Sequence, residues 1–162
     1  MTISEIKHIL IEQLGASIIL QEDHQSITVP VAQIADICQI LYQHEDCYFD
    51  MLSCLTAIDN GEAKNTMEVI YNLYSIPYEH KIMLKVVFDR ALPNEAPPQV
   101  PTVSHIWKTA DWHEREAFDL MGIQFSNHPD LRRILLPEDW EGHPLRKDYQ
   151  AQEYYHGIQV KY

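Results

Sequence analysis

Glycine is scarce in this 162-residue chain: only Gly15, Gly61, Gly122, Gly142 and Gly157 occur, and no two are close enough to build a G-x-G-x-x-G or Walker phosphate loop. Binding of NAD, flavin or ATP through those loops is excluded. Cysteine is equally sparse. Cys38, Cys47 and Cys54 are odd in number, show no C-x-x-C spacing and lie in segments that read as buried helix and strand, so they are expected to be reduced core residues. An iron–sulfur cluster normally takes four cysteine ligands, and this chain alone is not expected to hold one. No stretch approaches the roughly 18 apolar residues of a membrane span, and Met1-Thr2-Ile3-Ser4-Glu5 has neither the basic start nor the apolar run of a signal peptide. The chain is expected to stay in the cytosol unless a partner holds it elsewhere. Positive charge is also in deficit, with 12 Lys and Arg against 24 Asp and Glu, for a formal charge of −12. Such a surface repels a phosphate backbone, and no basic cluster interrupts it, so nucleic acid is not an expected partner.

What is present is ordinary for a soluble globular protein: 46% hydrophobic and 22% charged residues. Ile3, Ile6, Ile9, Leu10 and Leu14 recur at helical spacing before Gly15, which predicts a first amphipathic helix over 3–14. Two short extended runs, Ser17–Leu20 and Ser26–Val29, follow, separated by a polar turn at 21–25. Pro30 stands at a helix start, and Val31, Ile34, Ile37, Cys38, Leu41 and Tyr42 repeat at three and four, predicting a second helix to about His44. Three longer strands are predicted at Tyr48–Ile58, Thr66–Ile76 and Lys81–Phe88, joined by short turns that favour antiparallel hairpins. The fold class is therefore α+β, with two helices packed on a mainly antiparallel sheet, followed by a short helix and an extended irregular C-terminal segment.

The composition changes after Asp89. Pro93, Pro97, Pro98 and Pro101 crowd into one stretch, which reads as a stiff loop or crossover rather than an element. Residues 1–104 form the α+β sandwich part, net −9, and residues 105–162 form a charged helix with an interface-type segment and tail, net −3, the two parts reading as one structural unit overall. Four of the five arginines fall in the second part.

That part opens with WHEREAFDLM, residues 112–121. His113-Glu114 is the first half of the zinc-protease pattern H-E-x-x-H, but residue 117, where the second histidine belongs, is alanine. A metal site would need ligands from among His105, His128, His143 and His156, and none of these pairs has a ligand spacing. Acid–base chemistry by Glu114 and Glu116 fails because neighbours two apart on a helix diverge by roughly 200°. Glu116 and Asp119 could share a face. Asp111 three residues before Glu114 forms a capping-box pattern, which predicts a helix from Trp112 to Met121 ending at Gly122, with Arg115 and Asp119 as an i,i+4 pair. The plain alternative is a half-buried helix with a solvated charged face.

Beyond Gly122, prolines 129, 137 and 144 break the chain into turns that are expensive to order in isolation. The segment still carries Leu131, Ile134, Leu135, Leu136, Trp140 and Leu145, and Tyr149, Tyr154, Tyr155 and Tyr162 continue the aromatic theme. Arginine, tryptophan and tyrosine beside apolar residues are enriched in protein interfaces. Either this segment folds back on its own sheet or it meets a partner.

Glu114-Arg115-Glu116, Asp119-Leu120-Met121, His128, Arg132 and Ile134-Leu135, at these spacings, followed by Gly142-His143-Pro144-Leu145-Arg146-Lys147-Asp148-Tyr149, resemble the signature of the 30-kDa subunit of respiratory complex I, which is the C-type subunit of bacterial NADH:quinone oxidoreductase and the J-type subunit of plastids. The explicit resemblance covers residues 111–149. It implies a chain with no flavin, iron–sulfur cluster or nucleotide site of its own. FMN and Fe–S clusters would belong to partner subunits of the peripheral arm, among them the quinone-site 49-kDa-type subunit and cluster-bearing subunits. It further implies attachment, without a membrane span, at the cytoplasmic face of the bacterial inner membrane. Glu114, Arg115, Glu116, Asp119, His128, Arg132, Arg133, Trp140, Gly142, His143, Pro144, Arg146, Lys147, Asp148 and Tyr149 are the signature and interface residues so implied, the charged helix fixing the loop 122–149 and its partners. Related subunits occur in membrane-bound nickel–iron hydrogenase and formate hydrogenlyase complexes, sometimes fused to a larger subunit. Ending at Tyr162, this chain is expected to be unfused.

Overall fold

The computed structural model describes residues 1–91 and 95–160. Pro93 of the proline-rich stretch and Tyr162 of the tail lie outside the described residues. Helix α1, Ile3–Leu14, starts in a capping box: the Glu5 amide donates to Thr2 Oγ1 and the Thr2 amide donates to Glu5 Oε2 at 2.7 Å, so two otherwise orphaned donors are satisfied. Its buried face is Ile6 and Leu10, one turn apart. Helix α2, Ile34–Gln43, follows a 3-10 turn at Val31–Gln33 and buries Ile34, Ile37, Cys38 and Leu41.

The expected strand Ser17–Leu20 is not formed. Ala16–Ile18 is a single 3-10 turn, and the pairing falls instead on Gln21–Glu22 (β1), within the expected turn, antiparallel to Ser26–Thr28 (β2). The reason is packing: Ile18 is buried while Leu20 stays exposed, so the Ile-Ile-Leu run serves one core contact rather than an alternating strand face.

Strands β3 (Met51–Asp59), β4 (Thr66–Ser75) and β5 (His80–Asp89) form an antiparallel meander, and β2 joins β5 in parallel, giving the order β1-β2-β5-β4-β3. Alternate residues of β4 (Met67, Val69, Tyr71, Leu73) and β5 (Ile82, Leu84, Val86) point to one side and are buried, as the period of two requires. The buried faces of α1 and α2 belong to the same apolar cluster.

The proline-rich stretch, expected to be free of elements, contains a strand. Gln99–Pro101 (β6) pairs in parallel with Gln124–Ser126 (β7), and helix α3, Ala110–Met121, connects them. Proline is tolerated because the ladder uses groups it still has, such as the Pro98 carbonyl, which accepts from the Gln124 amide at 2.9 Å. Val100 and Phe125 bury the inner side of this pair. The tail ends in a two-residue hairpin, Tyr154–Tyr155 (β8) with Ile158–Gln159 (β9).

If α2 closes the core as described, Leu41→Ala destabilises the chain by about 2–5 kcal/mol, whereas Leu20→Ala, at an exposed position, changes stability by no more than about 0.5 kcal/mol. Urea unfolding followed by tryptophan fluorescence separates the two.

Candidate functional site

Helix α3 carries the charged motif and begins earlier than expected. Thr109 is the N-cap and makes no side-chain capping bond; Asp111 lies in the first turn instead of capping it. The expected capping partner, Glu114, turns the other way, into the core. It is fully buried, accepts the Val103 amide at 2.8 Å and hydrogen-bonds the Thr102 hydroxyl, which is in turn bonded to Ser104. Glu114 thus pins the strand-to-helix connection 102–104 rather than the loop after the helix. His128 Nε2 lies 3.8 Å from Glu114 Oε2 and 3.2 Å from the Asp111 carbonyl oxygen. Its Nδ1 accepts the Asp130 amide at 3.0 Å, which leaves the proton on Nε2 to face α3.

The expected Arg115–Asp119 pair is also absent, because each side chain finds the return loop. Arg115 donates to the carbonyls of Arg132 and Arg133 at 3.1 and 3.0 Å. Asp119 is fully buried: Oδ2 accepts the consecutive amides of Ile134, Leu135 and Leu136 at 3.1, 2.8 and 2.9 Å, and Oδ1 accepts Arg133 Nη1 at 2.7 Å. Arg133 then reaches the carbonyls of Trp140 and Gly142 at 2.9 and 3.2 Å. Arg132, beside it, is exposed, and among the described residues its side chain pairs with Asp130. Glu116 stays on the solvent side and is in none of the hydrogen bonds or ion pairs found among the described residues.

At the end of α3, Gly122 adopts φ +74°, and a Cβ there would lie 2.7 Å from the His143 ring, so only glycine fits. His143 Nδ1 is 2.9 Å from the Asp119 carbonyl oxygen, and after Pro144 the Leu145 amide donates to the Leu120 carbonyl at 3.0 Å. Gly142, at φ +80°, has the Tyr149 ring where its side chain would be, and Tyr149 Oη accepts from Trp140 Nε1 at 3.2 Å. Trp140 packs on Tyr155 at 5.1 Å between centroids, while Tyr155 and His156 both bind Asp139 at 2.7 Å. The tail therefore folds onto its own loop.

A second centre was not apparent from the sequence. Arg90 and Asp59 are buried and paired, with Nε to Oδ1 at 3.0 Å and Nη2 to Oδ2 at 3.1 Å, and Arg90 Nη2 also lies 2.7 Å from Asp148 Oδ1. Asp59 accepts the Lys147 amide at 2.8 Å, and Arg146 bonds Asp148 at 3.1 Å and the Ala91 carbonyl at 2.9 Å. Asp59 is the last residue of β3 and Arg90 lies just past the end of β5, 31 residues apart, with no spacing signal between them. Only the motif Arg146-Lys147-Asp148 marked this place.

Burial pushes the Glu114 carboxyl up to about 7, opposed by the hydrogen bonds from Thr102 and Val103 and reinforced by the Asp111 charge. Asp119 behaves differently. Burial raises it, but the amides of Leu136, Leu135 and Ile134 and the Arg133 guanidinium outweigh burial and hold it below the ordinary carboxylate value. Because Glu114 titrates higher in the folded chain, its contribution is fully present below the ordinary value of 4.5 and is lost as pH rises through about 7. The contribution of Asp119 runs the opposite way, present above its ordinary value and lost as pH falls through its lowered one. Among the described residues, no group of three or more His, Cys, Asp or Glu is placed to hold a metal ion.

A buried polar scaffold of this kind, built around one helix on an α+β sheet, defines a class in which the signature residues organise the chain's own extended segment. The sequence profile described as "Respiratory-chain NADH dehydrogenase, 30 Kd subunit" matches residues 27–155, well beyond the 111–149 stretch that carried the resemblance. The chain belongs to that family. It is 46% identical over 127 residues to the C-type subunit of NADH-quinone oxidoreductase from Chloroherpeton thalassium, a match covering 78% of this chain but only 50% of that protein. It is 45% identical over 145 residues to the same subunit from Geobacter sulfurreducens, covering 87% and 85% of the two chains. Among solved structures, a chain of an archaeal respiratory membrane complex, the membrane-bound sulfane sulfur reductase, shares the fold with a TM-score of 0.72 at 23% identity, covering 91% of this chain and 85% of that one. A trypsin-resistant fragment of Nqo5 gives a TM-score of 0.51 at 26% identity over 65% of this chain and 81% of that one.

Two measurements check the site. Glu114→Gln flattens the decline in stability between pH 4.5 and about 7, read from urea midpoints across that range. Gly122→Ala costs about 1–3 kcal/mol from backbone strain alone and more from the His143 contact, so the double variant with His143→Ala loses less than the sum of the two single changes.

Proposed function

We propose that this chain is a non-catalytic structural and assembly subunit of the peripheral arm of a proton-translocating NADH:quinone oxidoreductase. The observation that carries this reading is the internal use of the signature: Glu114, Asp119 and Arg133 each hydrogen-bond backbone of a loop, and His143 ties its own loop to the Asp119 carbonyl of α3. Such groups act as a scaffold, and no pair of them is arranged around a substrate-sized space as acid and base. Family membership and the relatives, which are C-type subunits of NADH-quinone oxidoreductase, supply the complex.

Electrons would then pass from NADH through FMN and iron–sulfur clusters carried by other subunits to quinone. The chain holds the quinone-site 49-kDa-type subunit and the cluster-bearing subunits in register. No helix among the described residues is long and apolar enough to cross a membrane, so attachment runs through the arm, at the cytoplasmic face of the bacterial inner membrane. Arg115 and Arg146, which clamp loops inside the chain, shape the surface those neighbours meet.

The test is to tag the chain, solubilise native membranes in mild detergent and assay what co-purifies. NADH:quinone reductase activity with flavin and iron–sulfur absorbance is the expected result; hydrogenase activity instead, or a lone colourless protein, overturns the reading. Arg133→Ala leaves the Asp119 carboxylate buried without its counter-charge, destabilising the chain by about 3 kcal/mol, and is expected to lower the yield of assembled complex in the same preparation.

A further inference from the structure

The solvent face of α3 carries no scaffold role. Trp112, Glu116 and the part-buried Leu120 recur every four residues along one stripe of the helix, turned away from the buried Glu114 and flanked by the buried Ala117 on one side and the buried Asp119 on the other. Trp112 is 70% exposed. On one side the stripe is bordered by the return loop, whose Leu135 amide is bonded to Asp119 but whose side chain is 61% exposed. On the other side Leu145, bonded through its amide to Leu120, is 58% exposed at the rim of a groove of about 280 Å³ between α3 and β3. Single exposed apolar residues are normal on a protein surface, but three large ones on α3 and on the two segments bonded to its last turns mark a contact surface.

Glu116 sits at the centre of that surface and is in no ion pair among the described residues. This decides the chemistry of the occupant. Covering the three apolar side chains also removes water from the carboxylate, and a buried carboxylate without a counter-charge is strongly unfavourable. An occupant that is itself acidic or wholly apolar is therefore disfavoured, and a second copy of this chain, at formal charge −12, is a poor candidate.

We propose that the Trp112–Glu116–Leu120 face of α3, with Leu135 and Leu145, docks a segment of a neighbouring subunit that presents a lysine or arginine to Glu116 between apolar side chains, one of which enters the groove beside β3. This rests on the proposed function in one respect, that the neighbour belongs to the same complex. The surface is separate from the buried scaffold of Asp119 and Arg133, since none of its side chains takes part in those hydrogen bonds.

The experiment replaces Trp112 with p-benzoylphenylalanine in the full-length tagged chain, irradiates native membranes, purifies the assembly and identifies the cross-linked peptide by mass spectrometry. The expected product is one peptide of another subunit with a Lys or Arg flanked by apolar residues. Placing Glu116→Arg in the same background is expected to lower the cross-link yield about tenfold, while Glu116→Gln lowers it less. Circular dichroism of each variant confirms that the fold is kept, as an exposed position allows. A peptide from a second copy of this chain, an acidic peptide, no cross-link in an intact assembly, or an unchanged yield with Glu116→Arg overturns the docking face. The activity of the purified assembly tests the identity of the complex separately: a basic peptide captured in an assembly without NADH:quinone reductase activity upholds the face and overturns the assignment of the complex.

Discussion

The buried carboxylate of Asp119 is the group on which the C-terminal third of this protein depends. Removed from water, it must be given hydrogen-bond donors, and it receives four: three consecutive amides from residues 134–136 and the guanidinium of Arg133. Three successive N–H groups aimed at one oxygen oblige the loop to curl around it, in the manner of a backbone anion nest. Arg133, held by the same carboxylate, then extends to the carbonyls of Trp140 and Gly142, so the order imposed at the helix end is passed onward along the loop. His143 closes the circuit by returning to the Asp119 carbonyl and packing over Gly122.

An irregular segment of this length has no ladder to offset its ordering cost, and the structure supplies instead a chain of charge-assisted bonds to backbone. The same device recurs where the segment passes the sheet. Arg90 lies between Asp59 and Asp148, and Asp59 also takes the Lys147 amide, so the loop is tied to the ends of β3 and β5. Buried ion pairs of this kind give little net stability because their desolvation offsets their attraction, but breaking one leaves an uncompensated charge. They specify which loop lies where.

The main helices and strands of the first hundred residues follow from periodicity and composition. Spacings of three and four placed α1 and α2, and runs rich in β-branched, aromatic and apolar residues placed β3, β4 and β5, because these elements bury one face against one core and local pattern and tertiary packing agree. The departures have a common cause. Ser17–Leu20 has the composition of a strand, yet a single core contact at Ile18 outweighed it. The stretch around Pro97–Pro101 has the composition of a loop, yet β7 offered it a parallel partner from beyond α3. Asp111 and Glu114 spell a capping box, but Glu114 was recruited by Thr102 and Val103, which no helical rule anticipates.

The sequence by itself determined the fold class, the absence of phosphate-binding glycine loops and the signature that places the chain in its family, since each rests on residue type and short spacing. Tertiary structure alone decided what the signature does. That Asp119 meets Arg133 and not Arg115, that Glu114 is buried in the core against Thr102 and Val103 while Glu116 two residues on remains in solvent, and that Arg90 joins Asp59 to Asp148 are contacts between residues 11 or more apart in the chain. Burial and long-range pairing set the environment of each charge, and neither is encoded in the distance along the chain.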